Sequence, residues 1–211
     1  MEINALMFDE ILSPETWNLL KILRPEDLPQ NSYLAGGTAV ALYLGHRRSA
    51  DLDFFTPAEF IEIQWEEKLK NKLGFTLLKR DWQTLIGYID KVKFSLFGYR
   101  YKGIAPPELY LDIPVASLPD LAAMKLDTLI GRGTKRDFID IYFLAQKYSL
   151  EDLFSFYQKK YGNFEERSLM LKKALVYFRD ADKEEMPDMV IPAGWPEIKK
   201  WMTKEIQRLS K

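Results

Sequence analysis

Residues 34–55 read LAGGTAVALYLGHRRSADLDFF, and the succession of patterns in this stretch decides the fold. Residues 32–35 form a short strand, Gly36-Gly37 a turn, and residues 38–44 a helix. Residues 51–55 then alternate acidic and apolar side chains at period two, which is strand patterning. On such a strand Asp51 and Asp53 share one face and Leu52 and Phe54 the other, with roughly 7 Å between the two acidic Cα atoms. Paired carboxylates repel each other unless a cation sits between them. Mg²⁺ prefers carboxylate oxygens and is usually completed by substrate phosphates, so Asp51 and Asp53 read as metal ligands. Gly36-Gly37 before a helix offers backbone amides with no side chain to block a phosphate, and Thr38 adds a hydroxyl. Each feature alone has a plainer reading: a turn, a solvated strand edge and, for His46, Arg47 and Arg48, a solvated charge cluster. Their joint occurrence is what points to a metal-phosphate site.

Upstream, residues 14–23 read as a helix capped by Ser13 with Pro14 at its first position. Downstream, Pro57 opens a helix to about residue 73. The β-rich stretches FTLLKR, TLIGYI and KVKFSLFGY between residues 75 and 101 follow so closely that they must pair antiparallel, with Asp90-Lys91 as a hairpin turn. One more strand lies near residues 109–115. From Ser117 onward the pattern is helical, with capping-box starts at Ser117 and Thr134 and further helices near 150–160, 165–179 and 196–209. The fold class is therefore α+β, a mixed or antiparallel sheet flanked by helices (residues 1–115) followed by a packed helical lobe (116–211). Aromatic residues of the last third, Tyr177 among them, fall at helical spacing and read mostly as core.

Composition narrows the chemistry. Across 211 residues, 30 Lys plus Arg against 31 Asp plus Glu leave a net charge of -1, so nucleic-acid contact must rest on local patches. The absence of cysteine and the single histidine, His46, exclude disulfide scaffolds, thiolate metal sites, cysteine nucleophiles and mechanisms that need two imidazoles. The first twelve residues carry acids and no basic leader, and no apolar run approaches the roughly 18 residues of a membrane helix. The expectation is a soluble, unprocessed, cytoplasmic chain that does not engage a membrane.

In the helical half, Lys125 stands on an apolar stripe with Leu121, Leu126 and Leu129, and Asp140 is the one residue charged at neutral pH within residues 138–145. Neither charge can be buried alone, so the two must pair or meet a ligand. Asp137, three residues after Thr134, is placed for a capping box.

At these residues the chain resembles a known family. Ala35-Gly36-Gly37, thirteen residues, then Asp51-Leu52-Asp53-Phe54 looks like the signature of nucleotidyltransferases related to DNA polymerase β. Together with LPDLAAMKLDTLIGRGTKRDFIDIYFLAQKY it resembles the AbiEii/AbiGii toxin family over roughly residues 30–150. The resemblance implies Mg²⁺-dependent transfer of NMP from an NTP to an acceptor hydroxyl, with RNA as acceptor and an antitoxin as partner for members that are toxins. Carried over by motif, Gly36, Gly37, Thr38, Arg47 and Ser49 bind nucleotide, Asp51 and Asp53 hold metal, and Asp51, Asp53, Lys125 and Asp140 are catalytic. The superfamily's third carboxylate falls on Ser95. A non-catalytic nucleotide-binding module and an antibiotic-modifying transferase are the alternatives, with Asp90, Glu108 and Asp112 the nearest substitute acids.

Overall fold

The computed structural model describes residues 7–162 and 165–209. Helix α1 (Pro14–Ile22) is capped as expected, the Ser13 hydroxyl accepting from the Thr16 amide at 3.1 Å. Strand β1 (Tyr33–Ala35) runs directly into α2 (Gly36–Leu44), so the two glycines form the first turn of the helix rather than a separate turn. Next come β2 (Leu52–Thr56), α3 (Glu62–Leu73), β3 (Thr76–Asp81), β4 (Thr84–Ile89) and β5 (Val92–Gly98). After β6 (Glu108–Tyr110) and β7 (Ile113–Val115) the chain is helical: α4 (Leu118–Gly131), α5 (Lys135–Leu144), α6 (Leu150–Tyr161), α7 (Glu165–Ala174) and α8 (Trp195–Arg208).

The sheet order is β3-β4-β5-β2-β1-β7-β6. It is mixed: β2 pairs parallel with β5 and β1 parallel with β7, while the other neighbours run antiparallel. An α+β fold with an open mixed sheet is thus what the alternation of periods predicts. The apolar face of β2 and β5 (Leu52, Phe54, Phe94, Leu96) is fully buried, as are much of α2 and the inner faces of α4 and α5. Their opposite face is left for the site.

Several local expectations are corrected. Pro57 does not open a helix: the Gln83 side chain bridges the Phe60 amide (3.3 Å) and carbonyl (2.7 Å), and the segment stays non-helical until Glu62. The strand near 109–115 is a hairpin, because Leu111 and Asp112 take φ of 49° and 64° and reverse the chain in two residues. Helix α7 ends at Ala174 instead of 179, and Tyr177 is 55% exposed instead of core. The chain then returns toward α2: His46 O accepts from the amides of Val190 and Ile191, both at 3.0 Å, and Arg47 bridges to Met189. Among the described residues no helix is long and apolar enough to cross a membrane.

Candidate active site

A cleft of about 820 Å³ opens over the polar face of the sheet. Its floor is set by register. Asp53 on β2 lies beside Ala35 on β1 and Ser95 on β5, and Phe55 lies beside Phe97. Asp51, Asp53, Phe55, Lys93 and Phe97 line the cleft, while Ser95 lies on the same face beneath it, 2% exposed.

The N-terminus of α2 meets this floor edge-on. Ala35 caps it with no side-chain hydrogen bond, which leaves the first-turn amides without a side-chain acceptor. Gly36 has φ +71°, and a Cβ there would lie 2.6 Å from Asp53 Oδ2; a Cβ on Gly37 would lie 2.5 Å from Arg47 Nη2. Glycine at both positions is therefore what lets the helix end approach the carboxylate on one side and the guanidinium on the other. The Thr38 hydroxyl is used internally: it donates to the Asp51 carbonyl and lies 2.8 Å from the Ser49 hydroxyl, tying the first turn of α2 to the start of β2.

Under the cleft lies a buried charge network. Asp140 has no exposed surface, and His46 Nε2 (2.8 Å) and Arg47 Nε (2.7 Å) meet its Oδ1 while Arg47 Nη2 (2.9 Å) and Lys125 Nζ (2.7 Å) meet its Oδ2. Lys125 also donates to Asp137 at 2.9 Å. Asp137 keeps its capping role at the same time, accepting from the Thr134 amide and hydroxyl. The expected meeting of Lys125 and Asp140 is thus observed. Asp140, however, lies beneath the cleft wall and not in it, holding Arg47 and Lys125 from below. His46 and Arg47 are likewise not a solvated cluster, because the Asp140 carboxylate draws both inward; Arg48 alone stays exposed, 3.1 Å from Asp188.

The electrostatics follow from these contacts. Burial opposes the charge of Asp140, but Arg47 and Lys125 outweigh it and hold the carboxyl well below its usual range. Burial also opposes the Lys125 ammonium, and Asp140 and Asp137 outweigh it, so the pKa is raised and the lysine stays charged. Burial lowers the pKa of His46 against the opposing pull of Asp140, so the ring is neutral, donates through Nε2, and leaves Nδ1 buried without a partner. Burial, reinforced by the charge of Asp51, pushes the Asp53 carboxyl up, with Ser95 acting the other way.

Asp51 and Asp53 therefore form a hard-oxygen pair short of positive charge, and their chemistry fits a divalent cation such as Mg²⁺ that would complete its shell with substrate phosphates. Among the described residues no third His, Cys, Asp or Glu joins them in a closed ligand set. Of the residues singled out from sequence, the structure brings Gly36, Gly37, Thr38, Arg47, Ser49, Asp51, Asp53 and Lys125 to one cleft. Arg132, Arg136, Glu184 and Glu185 also line it. The two arginines flank the Thr134 cap, a signal that was readable in RGTKRD; the glutamates come from a segment with no sequence motif.

The family model described as nucleotidyl transferase AbiEii toxin, type IV TA system, matches residues 91–205. The chain belongs to this family. An uncharacterized protein of Aquifex aeolicus (strain VF5) is 36% identical over 183 residues, 83% of this chain and 86% of that protein. Among solved structures, JHP933 from Helicobacter pylori superimposes with a TM-score of 0.55 at 17% identity, covering 94% of this chain and 95% of the other. MenT4, the nucleotidyltransferase toxin Rv2826c from Mycobacterium tuberculosis H37Rv, gives 0.55 at 16% identity, covering 94% and 86%. These likenesses establish a nucleotidyltransferase-like fold, and the AbiEii family supports nucleotidyl transfer as the general chemistry. The AbiEii match begins at residue 91, so Gly36, Gly37, Asp51 and Asp53 lie outside it; the fold joins them to Ser95, Lys125 and Asp137 within it.

Proposed function

We propose that this protein transfers NMP from an NTP to an acceptor hydroxyl with Mg²⁺, and that Asp51 and Asp53 hold the metal. The reading rests on one observation above all: the uncapped, glycine-opened end of α2 stands against the Asp51/Asp53 pair in a single cleft. Gly36 and Gly37 amides would receive phosphate oxygens, and Arg47 and the third N–H of Lys125 would add hydrogen-bond donors at the same point. Ser49 and Thr38 hold Asp51 in place. The metal, when bound, supplies charge stabilisation on the attacking and leaving oxygens. By family, an RNA acceptor and an antitoxin partner fit, with action in the cytoplasm as the toxin of a toxin-antitoxin pair. The division into residues 1–115 and 116–211 then assigns the metal pair and the glycine-opened helix end to the first part and the lysine network to the second.

A second reading, a nucleotide-binding module without transfer, is favoured by Ser95, which stands in register with Asp53 where a third acid would lie. A hydroxyl there cannot take the proton of the attacking group at neutral pH. Calorimetry separates binding from its absence. NTP affinity should rise with Mg²⁺, and Asp51→Asn with Asp53→Asn should abolish that dependence; undiminished Mg²⁺-dependent binding by the double variant would remove the proposed metal site. Transfer assays of Ser95→Asp separate the two readings: a gain in rate identifies the missing acid as limiting, and nucleotide binding without transfer in either protein supports the module.

A further inference from the structure

The cleft holds two kinds of cation. Arg47 and Lys125 are buried and answered by Asp140 and Asp137, so these four charges cancel. Lys93, Arg132 and Arg136 also line the cleft, the two arginines exposed, and among the described residues none of the three has an ion-pair partner. Glu184 and Glu185 also line the cleft; the Glu184 carboxylate accepts from the Lys135 amide at 2.9 Å, and neither acid forms an ion pair with Arg132 or Arg136 among the described residues. Lys93 stands close enough to Asp53 to act against the rise of its pKa, so a triphosphate entering the cleft meets exposed guanidinium groups free of an ion pair at Arg132 and Arg136.

Helix α4 gives the cleft a direction. In its first turn Asp120 holds Lys160 (2.6 Å), whose ammonium lies 5.3 Å over the Tyr99 ring, and Tyr99 packs on Phe55 at 5.4 Å. That end is aromatic and apolar, with Phe97, Leu121 and Met124 lining the cleft. Lys125 stands midway, and Arg132, the C-cap, at the other end, roughly 18 Å from Asp120 along the axis at the rise of an α-helix. Arg136 follows within the first turn of α5. Two planar, forked guanidinium groups at one end of the cleft suit the non-bridging oxygens of a diphosphate.

We infer that Arg132 and Arg136 bind the β- and γ-phosphates of the NTP, the pyrophosphate leaving group, so that the nucleotide's phosphate tail points to the α4–α5 corner. This rests on the nucleotidyl-transfer reading. In the step the acceptor oxygen bonds to the α-phosphorus and the bond from that phosphorus to the α–β bridging oxygen breaks. The electron pair leaves with pyrophosphate, and the hydroxyl proton passes to solvent. The two guanidinium groups meet the charge that grows on the departing oxygen.

The test is calorimetry in Mg²⁺ with the four ribonucleoside triphosphates, their monophosphates and inorganic pyrophosphate. Unsubstituted protein should bind an NTP and pyrophosphate more tightly than the monophosphate. Arg132→Ala and Arg136→Ala should each weaken NTP and pyrophosphate binding by about tenfold or more, the scale of a lost charged hydrogen bond, with monophosphate affinity and melting temperature unchanged. The double Arg→Lys variant should recover part of the loss, and Lys93→Ala, the same charge change elsewhere in the cleft, should leave the triphosphate preference intact. A double alanine variant that keeps the preference, or a Lys93→Ala variant that loses it equally, overturns the assignment. If unsubstituted protein binds no NTP, the nucleotidyl-transfer reading itself falls, and this inference with it.

Discussion

Asp140 and Asp53 are both acids with little water around them, and they should respond to amidation in opposite ways. Asp140 accepts from four donors and neutralises two buried cations. Asp140→Asn leaves those cations undercompensated and should cost roughly 3–5 kcal/mol, the range for a broken buried pair, read as a large fall in melting temperature. Asp53 is held in its charged form against burial and the charge of Asp51. Asp53→Asn removes that penalty, so the melting temperature at pH 7 should hold or rise while Mg²⁺-dependent NTP binding disappears. The pH dependence follows from the signs of the shifts. Asp53 has a raised folded pKa and releases its penalty as pH falls, so the gap in melting temperature between Asp53→Asn and unsubstituted protein should narrow on acidification. His46, with its folded pKa below the ordinary 6.5, contributes stability above that value and loses it as pH drops below. Lys125 and Asp140 were readable as charges needing partners, because an ionisable group on an apolar stripe states its own requirement, and Asp137 was readable as a cap. Their sharing of Arg47 and His46 was not, since Asp140 lies 93 and 94 residues away from them in the chain.

The elements that build the site are glycine-dependent at one point. Gly36 and Gly74 both take φ near +70°, but a Cβ at Gly36 collides with the Asp53 carboxylate whereas Gly74 has open space around it. Alanine at either position should cost about 1–3 kcal/mol in backbone strain. Only Gly36→Ala should also lose Mg²⁺-dependent NTP binding, and equal binding by both variants would show that the approach of α2 to Asp53 is not needed. The motif made the strand, glycines, helix and acidic strand legible because each has its own period and its own turn chemistry. Elements decided by partners far away were misread. Pro57 looked like a helix start, but the Gln83 side chain ties down Phe60 and the helix begins only at Glu62, and two short strands read as one because Leu111 and Asp112, neither a glycine, take the turn.

At the scale of the whole molecule, the pairing of β2 with β5 places Ser95 beside Asp53 and the return of residues 184–191 covers His46 and Arg47. The first was legible through the family resemblance, which put the third-carboxylate position on Ser95; the second was not, being a segment with no motif, held through backbone hydrogen bonds. If that segment is part of the folded unit, the amides of Val190 and Ile191 should exchange with deuterium as slowly as those of α2, and exchange at the rate of a free loop would contradict it. The central claim is that the cleft moves a nucleotidyl group. Incubation with Mg²⁺, total RNA and each NTP labelled either at the α- or at the γ-phosphate tests it directly. Label from the α-phosphate should become covalently retained by the acceptor and label from the γ-phosphate should leave as pyrophosphate; retention of γ-label, or retention of neither, would contradict the account.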